Sequence, residues 1–385
     1  MIRPVSSPKE SSVSTSSDVT FKTLSARGGF KIGLVSLTRA KSMNALTREM
    51  IQAIGRRLAR WQQSKRIVAV VIQGEGRCFC SGGDIRQLYD GIADGDETGL
   101  KQADQFFELE YKTNIQLHRF TKPLIAWGHG YVMGGGLGLF LTANHRIGTT
   151  SMQLAWPEVR IGLFPDVLGS WYLSRIEPAL GYWMGLTGMP INSTDALSQR
   201  LIDYQMADGD LEPLIGQLRR LDWTERTPDN QLLVRHLLGN WSTPEAADKP
   251  ESDWLRTGAT ITEMMAPVIQ QGLVALPAAD ADQDAWVQRG LNQHHAGCPA
   301  TARLLVAQLA LGRHMSLVEA ARLELVMAWQ ACRHPDLVAG IRALLIDRGA
   351  LPQWQHATPA SVPDQWVKAL MTSPWKRDEH PFANL

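Results

Sequence analysis

"GYVMGGGLGLFLTANHRIGTT", residues 130–150, sets three consecutive glycines at the head of an apolar stretch with helical character. Glycine is the poorest helix former apart from proline, so a run of it where a helix begins needs a reason other than helix stability. A helix start leaves backbone N–H groups without partners and carries the positive end of the helix dipole. With no Cβ on Gly134, Gly135 and Gly136, a ligand oxygen can approach those amides to hydrogen-bonding distance. The plainer reading is a tight turn or a close helix–strand contact, and a single glycine cluster does not separate the two.

The flanks of this stretch supply context. "KPLIAWGHG" before it reads as a buried strand, and "HRIGTT" with "MQLAW" after it read as two short strands. Further upstream, Phe30 to Leu37 reads as a strand and the turn "TRAKSMNAL" leads into a helix from Thr47 to Ser64. In that helix Met50, Ile54, Leu58 and Trp61 recur every three to four residues and mark one buried face. The β-branched run "IVAVVIQG", residues 67–74, predicts a strand covered on both faces. "CFCSGGDI" is a glycine turn, and a charged amphipathic helix from Ala103 to Phe120 returns the chain to "KPLIAWGHG". Strands alternating with helices in this order predict an α/β fold.

Gly82 and Gly83 thus make a second place where bare amides follow a buried strand. Two peptide N–H groups, one from each glycine turn, can converge as an oxyanion hole. Phosphate-binding patterns fit neither turn: the spaced glycines of a dinucleotide fingerprint are missing, and no Gly-Lys-Ser/Thr follows.

Downstream, "WPEVRIGLFPD" places Glu158 and Asp166 after prolines and among Trp156, Ile161, Leu163 and Phe164. A carboxylate desolvated by such neighbours has a raised pKa and suits acid–base or nucleophilic work. Each also has a plain structural reading, Glu158 as a surface residue at a helix start and Asp166 as the N-cap of a helix opening at Gly169. Glu110, in "FFELEYKTN", reads as a solvated helix residue on local pattern alone.

Bulk properties exclude several classes. The 385 residues are 44% hydrophobic and 20% charged with a formal net charge of +1, an ordinary globular composition without the basic footprint of a nucleic-acid binder. Cys78, Cys80, Cys298 and Cys332 are too few and too irregular for a disulfide framework, and no metal site is expected from them or from the histidines, His129 and His145 included. No apolar run reaches the roughly 20 residues that span a bilayer, so no membrane association is expected. The Ser-rich start lacks an apolar signal core, which points to the cytoplasm.

Four segments follow. Residues 1–19 read as a disordered tail and 20–206 as the α/β core. Residues 207–253, rich in Asp, Pro, Trp and Arg, read as a variable connection, and 254–385 as a helical C-terminal region. "STDALSQRLID" begins with Ser and Thr at a capping position, and "SLVEAARLELVMAWQACRH" opens with Ser316 and Glu319 at capping-box spacing.

"GRCFCSGGDI", "KPLIAWGHGYVMGGGLGL" and "WPEVRIGLFPDVLG", with "RAKSMNAL" before them, together resemble the crotonase superfamily, the enoyl-CoA hydratase/isomerase fold. "SLVEAARLE" and "DLVAGIRALLIDRGALPQW" resemble the tail of its 3-hydroxyisobutyryl-CoA hydrolase branch. The resemblance implies a ClpP/crotonase-like core of ββα spiral turns, a helical C-terminal region with subunit contacts through its helices, and an acyl-CoA thioester as substrate. No cofactor is implied, because CoA is part of the substrate.

By position it places oxyanion-hole amides on Gly83 and Gly135 and catalytic carboxylates on Glu158 and Asp166, with Glu110 binding substrate. Hydratases of the family carry a further glutamate at the position matching Gly138, which this chain lacks. A thioester hydrolase of valine catabolism is therefore implied over a hydratase or isomerase. A catalytically silent scaffold or ribonucleoprotein subunit stands as an alternative of another class. Arg39 and Lys41 lie in the turn resembling the nucleotide-side loop and are the candidates for CoA binding; in a eukaryotic source the compartment implied is the mitochondrial matrix. "FPDVLGS" departs from the branch's usual "FPDVGGG", so Leu168 and Ser170 are expected to reshape the acyl pocket.

Overall fold

The computed structural model describes residues 18–241, 245 and 248–385. The tail expected over residues 1–19 lies outside them except for Asp18 and Val19. Strand β1 (Val19–Ser25) pairs antiparallel with β2 (Lys31–Leu37), Val19 opposite Leu37 and Ser25 opposite Lys31. Helix α1 (Arg48–Gln63) starts where the Thr47 hydroxyl accepts the Met50 N–H at 3.2 Å, and it buries Met50, Ile54, Leu58 and Trp61. Strand β3 (Ile67–Gly74) runs parallel to β2. Its β-branched run divides between two cores, Ile67, Val70 and Ile72 facing one and Val68, Ala69 and Val71 the other. Continuous hydrophobicity is what a strand covered on both faces requires.

Beyond β3 the chain repeats a short cycle. Helices α2 (Ile85–Ile92) and α3 (Glu97–His118) lead to β4 (Leu124–Gly128), β5 (Tyr131–Met133) and α4 (Gly135–Leu141). Strands β6 (His145–Thr149) and β7 (Gln153–Ala155) follow, then α5 (Gly169–Leu173) and α6 (Pro178–Thr187). Strand β8 (Ile191–Asn192), α7 (Ser193–Ser198) and β9 (Tyr204–Met206) complete the core. The larger sheet has the order β1-β2-β3-β4-β6-β9, and its pairs from β2 onward are parallel. The smaller has the order β5-β7-β8, and single bridges Cys80–Val132 and Leu46–Gly83 continue the pairing as far as the Gly82–Gly83 turn. Each cycle thus gives one strand to each layer and then a helix, the ββα spiral expected from the sequence.

The second face of the larger sheet is covered by α8 (Leu211–Leu218) and α9 (Thr227–Gly239), whose Leu214, Leu218, Val234 and Leu238 meet Val68, Val71, Ile125 and Trp127. These helices fall in the stretch read from sequence as a connection, parts of which (residues 242–244, 246 and 247) lie outside the described residues. Weak periodicity hid them because few positions on each helix meet the sheet.

The C-terminal region is helical: α10 (Asp253–Gln271), α11 (Ala285–Ala296), α12 (Pro299–Gly312), α13 (Leu317–Ala331), α14 (Pro335–Ile341) and α15 (Asp364–Leu370). The capping box at Ser316 and Glu319 forms. The cap of α7 is Asn192, not the Ser or Thr after it, because its Oδ1 accepts both the Thr194 and Asp195 amides. Helix α13 packs on α3 and α5, which brings the C-terminal region against the core. No helix among the described residues is long and apolar enough to cross a membrane.

Candidate active site

Two glycine turns meet at one end of the spiral. Gly134 caps α4 at φ 47° and ψ −130°, a conformation closed to residues with a Cβ, and Gly82 sits at φ 118°. The second turn is held by the Leu46 N–H donating to the Gly82 carbonyl at 2.8 Å and the Asp84 N–H donating to the Leu46 carbonyl at 2.9 Å. Gly83 lies between these bonds, and neither its amide nor that of Gly135 donates to another described residue. A Cβ built on Gly135 would stand 3.1 Å from the Gly83 nitrogen and 2.3 Å from Glu110 Oε1. The two free amides and one carboxylate therefore border a single small space.

Glu158 opens a 3-10 turn, Glu158–Ile161, that ends at the left-handed Gly162. Its Oε1 would lie 3.2 Å from a Cβ on Gly134, so it adjoins the same space. Glu110, on α3, is only 3% exposed, Glu158 4% and Asp166 3%. One oxygen of each, Glu110 Oε1, Glu158 Oε2 and Asp166 Oδ1, is buried without a hydrogen-bond partner among the described residues. The other Asp166 oxygen accepts the Tyr111 hydroxyl at 3.1 Å.

Burial first, and the nearby Asp166 charge second, push Glu110 and Glu158 well above the usual carboxylate range. Burial lifts Asp166 to about 7 against the opposing pull of the Tyr111 hydrogen bond. Such groups share protons near neutrality and remain free to bond a ligand. The plain readings for these acids fail: Glu158 is not on the surface, Glu110 is not solvated, and the cap of α5 is Leu168, not Asp166.

Gly138 lies one turn along α4. A Cβ there would come within 2.3 Å of Asn114 Nδ2, and neither polar atom of the Asn114 side chain has a partner among the described residues. The amide of Asn114 fills the room a longer side chain at 138 would need.

After Asp166 the chain makes a left-handed turn with no glycine in it, Val167 at φ 48° and Leu168 at φ 73°. That conformation costs about 1–2 kcal/mol per L-residue with a Cβ. It is held from a distance. Glu324 of α13, fully buried, accepts the Leu168 N–H at 2.6 Å and the Ser170 N–H at 2.8 Å. Gln308 of α12 donates to the Pro165 carbonyl at 2.6 Å and to Ser170 Oγ at 2.9 Å. Leu168 packs in the core and does not line the cleft, so the expectation that its side chain reshapes the acyl pocket is corrected: its effect is on the backbone. Ser170 is likewise buried away from the cleft and spent on Gln308.

The two glycine turns and the three carboxylates Glu110, Glu158 and Asp166 face a cleft of about 620 Å³. Its floor carries Gly83, Gly135, Glu110, Glu158 and Asp166 with Phe107, Met133 and Leu163 among the apolar walls, and Leu344 and Leu345 of the π-helical turn after α14 stand on one side. The exposed cations Lys41, Arg77, Arg86, Arg160 and Arg348 line its outer part. Arg39 also borders the cleft but is committed elsewhere, donating through two nitrogens to Asp84 Oδ2 at 3.0 Å and to the Ala45 carbonyl at 2.6 Å. No cluster of metal-ligating side chains occurs among the described residues.

Sequence reasoning brought Gly83, Gly135, Glu110, Glu158 and Asp166 together and missed Tyr111, Asn114, Glu324 and the outer arginines. Glu324 carried a readable signal: it shares a helix face with Ala320, Ala321, Leu325 and Ala328, and a charge on an apolar face demands a buried partner.

The sequence pattern of the enoyl-CoA hydratase/isomerase family matches residues 32–371. A Danio rerio protein named 3-hydroxyisobutyryl-CoA hydrolase, mitochondrial, is 31% identical over 350 residues, covering 90% of this chain and 89% of its own length. The small ribosomal subunit protein mS47 of Neurospora crassa is 29% identical over 364 residues, 90% of this chain and 69% of its own. Among solved structures, an enoyl-CoA hydratase from Rhodobacter sphaeroides 2.4.1 superposes with a TM-score of 0.79 at 29% identity, covering 93% of this chain and 98% of that one.

Proposed function

The chain belongs to the enoyl-CoA hydratase/isomerase family, and from that premise we propose that it is an acyl-CoA thioester hydrolase whose substrate is 3-hydroxyisobutyryl-CoA, as in valine catabolism. It works in the cytoplasm, or in the mitochondrial matrix of a eukaryotic source, and needs no cofactor beyond the CoA of its substrate. One observation carries the reading: two unpaired amides and three buried, partner-seeking carboxylates border one cleft, while the room at Gly138 is filled by Asn114.

The thioester oxygen accepts the Gly83 and Gly135 amides, so charge that develops on it in the transition state meets donors already in place. Glu158, ionised, attacks the carbonyl carbon; the C–S bond breaks, CoA leaves as thiolate and takes a proton, and water then cleaves the acyl anhydride. A route in which Glu158 instead removes a proton from the attacking water gives the same acid and thiol. Oxygen-18 water distinguishes them, since only the anhydride route labels Glu158. Asp166 orients the water or the acyl chain, and Glu110, kept protonated by burial, bonds the substrate hydroxyl. The exposed cations at the cleft mouth, Lys41 among them, receive the CoA phosphates; Arg39 instead braces the turn through Asp84.

The test is a panel of acyl-CoA esters followed by release of free thiol. Hydroxyacyl esters are expected to be cleaved and crotonyl-CoA neither cleaved nor hydrated; hydration of crotonyl-CoA would favour the hydratase or isomerase. Glu158→Gln is expected to lower kcat by about 10³-fold or more, from loss of a nucleophile or base, with ester binding largely kept. Unchanged turnover in that variant refutes its role. The likeness to mS47 favours a second reading, a silent scaffold or ribonucleoprotein subunit. Three buried acids, each with one oxygen that has no partner among the described residues, weigh against it, because a scaffold gains nothing from their desolvation.

A further inference from the structure

We infer that Glu324 is a positioning residue of this site: from a helix of the C-terminal region it fixes the glycine-free turn after Asp166 and so aims that carboxylate into the cleft. The inference rests on the proposed hydrolase reading for what Asp166 does there.

Val167 and Leu168 hold a left-handed backbone that neither residue favours; within the turn one bond helps to hold it, the Gly169 N–H donating to the Asp166 carbonyl at 2.8 Å. Glu324 adds to this with both oxygens at once, Oε2 accepting from Leu168 at 2.6 Å and Oε1 from Ser170 at 2.8 Å. Two amides two residues apart, gripped by one rigid carboxylate, leave the intervening peptide little freedom. Gln308 fixes the other side of Asp166 through the Pro165 carbonyl. The aspartate is thus held between two anchored main-chain points, and Tyr111 takes one of its oxygens, leaving Oδ1 free.

A role in stability alone does not account for this choice. No salt bridge to Glu324 occurs among the described residues, and a buried carboxyl without a counter-ion is a poor stabiliser compared with an apolar side chain of the same volume. Its value lies in geometry: only an acceptor with two oxygens satisfies two converging N–H groups. A glutamine presents one oxygen and one NH2, so one amide would face a donor.

The experiment compares the full-length chain with Glu324→Gln and Glu324→Asp. Three readouts are taken: thiol release from the ester panel, KM for the same esters, and amide hydrogen exchange over residues 165–173. Misplacing a catalytic group by a fraction of an ångström to 1 Å costs up to 100-fold, so E324Q is expected to lose about 30-fold in kcat. KM should stay within about threefold, since the cleft mouth is untouched. Exchange should quicken at 165–173 and not in α6. E324D, with the two-oxygen carboxyl kept and the reach shortened, should fall between wild type and E324Q.

Wild-type kcat in E324Q, or unchanged exchange at 165–173, overturns the inference. So does a rise in KM that accounts for the whole loss. If E324Q does not fold, E324D decides by the same criteria. If the wild-type chain releases thiol from no ester, it is the hydrolase reading that falls, and the exchange comparison alone then upholds or overturns the grip of Glu324 on the turn.

Discussion

The site contains two kinds of backbone turn. Around Gly82 and Gly134 the chain takes left-handed or otherwise forbidden angles with glycine, whose missing Cβ removes the strain at its source. Around Val167 and Leu168 it takes similar angles with β-branched and γ-branched residues, and the strain is offset by a carboxylate that arrives from 156 positions away along the chain. The first turn carries its own instructions; the second borrows them from tertiary structure. One consequence is that the free amides of Gly83 and Gly135 are positioned by the core alone, whereas the placement of Asp166 also depends on the C-terminal helices.

The sharpest way to break this contrast is to give the first turn a side chain. Gly135→Ala is compatible with the local dihedrals, yet its methyl would occupy the space between the Gly83 nitrogen and Glu110. Loss of one oxyanion donor costs roughly 10²–10³-fold in kcat, and a comparable loss is expected here, with some fall in Tm because the methyl must displace the buried Glu110 carboxyl. A variant with near-normal turnover would mean the carbonyl binds elsewhere.

A second expectation concerns the charges between the turns. Glu110, Glu158, Asp166 and Glu324 all have folded-state pKa values raised by burial, Asp166 to about 7 and Glu324 to about 8. The folded chain therefore binds more protons than the unfolded chain above the ordinary carboxylate range, so its stability falls as pH rises from there through about 8. Thermal unfolding followed from pH 5 to 8 is expected to show Tm declining by a few degrees, and Glu110→Gln should flatten the decline. On the proposed mechanism Glu158 must ionise to act, so kcat/KM is expected to be still rising at pH 7, where an unperturbed carboxylate would have levelled; a plateau from pH 5 upward contradicts this.

The smallest effect probes the second turn directly. Replacing Leu168 by alanine creates a cavity and keeps the strain, while replacing it by glycine creates the cavity and removes the strain. Glycine is ordinarily the less stable of the two by 0.5–1 kcal/mol; at this position L168G is expected to exceed L168A by about 1 kcal/mol in denaturant unfolding. The reverse order would show that the turn is not strained.

The same contrast explains what could be read from the sequence. β3, α1, the glycine turns and the capping box at Ser316 declare themselves because their conformation depends on neighbours within a few positions. The carboxylates Glu158 and Asp166 were legible through the prolines and aromatics around them, and Glu110 only through family resemblance, since a helix position says nothing of the layer packed against it. Tyr111, Asn114 and Glu324 act across 55, 24 and 156 positions; the apolar face around Glu324 signals that it is buried, but no local pattern names the partner of any of the three. The pairing of Arg39, at the border of the cleft, with Asp84 was hidden for the same reason, since its partner is 45 residues on.

Asn114 has a consequence for how this chain can change. A glutamate introduced at 138 collides with the asparagine, and removing the asparagine first leaves an empty hole beside α4. Neither single step is neutral, so a path toward double-bond hydration passes through a damaged intermediate whichever substitution comes first. Two side chains on facing helices are thereby coupled, so a carboxylate can be set at 138 only by changing both positions together.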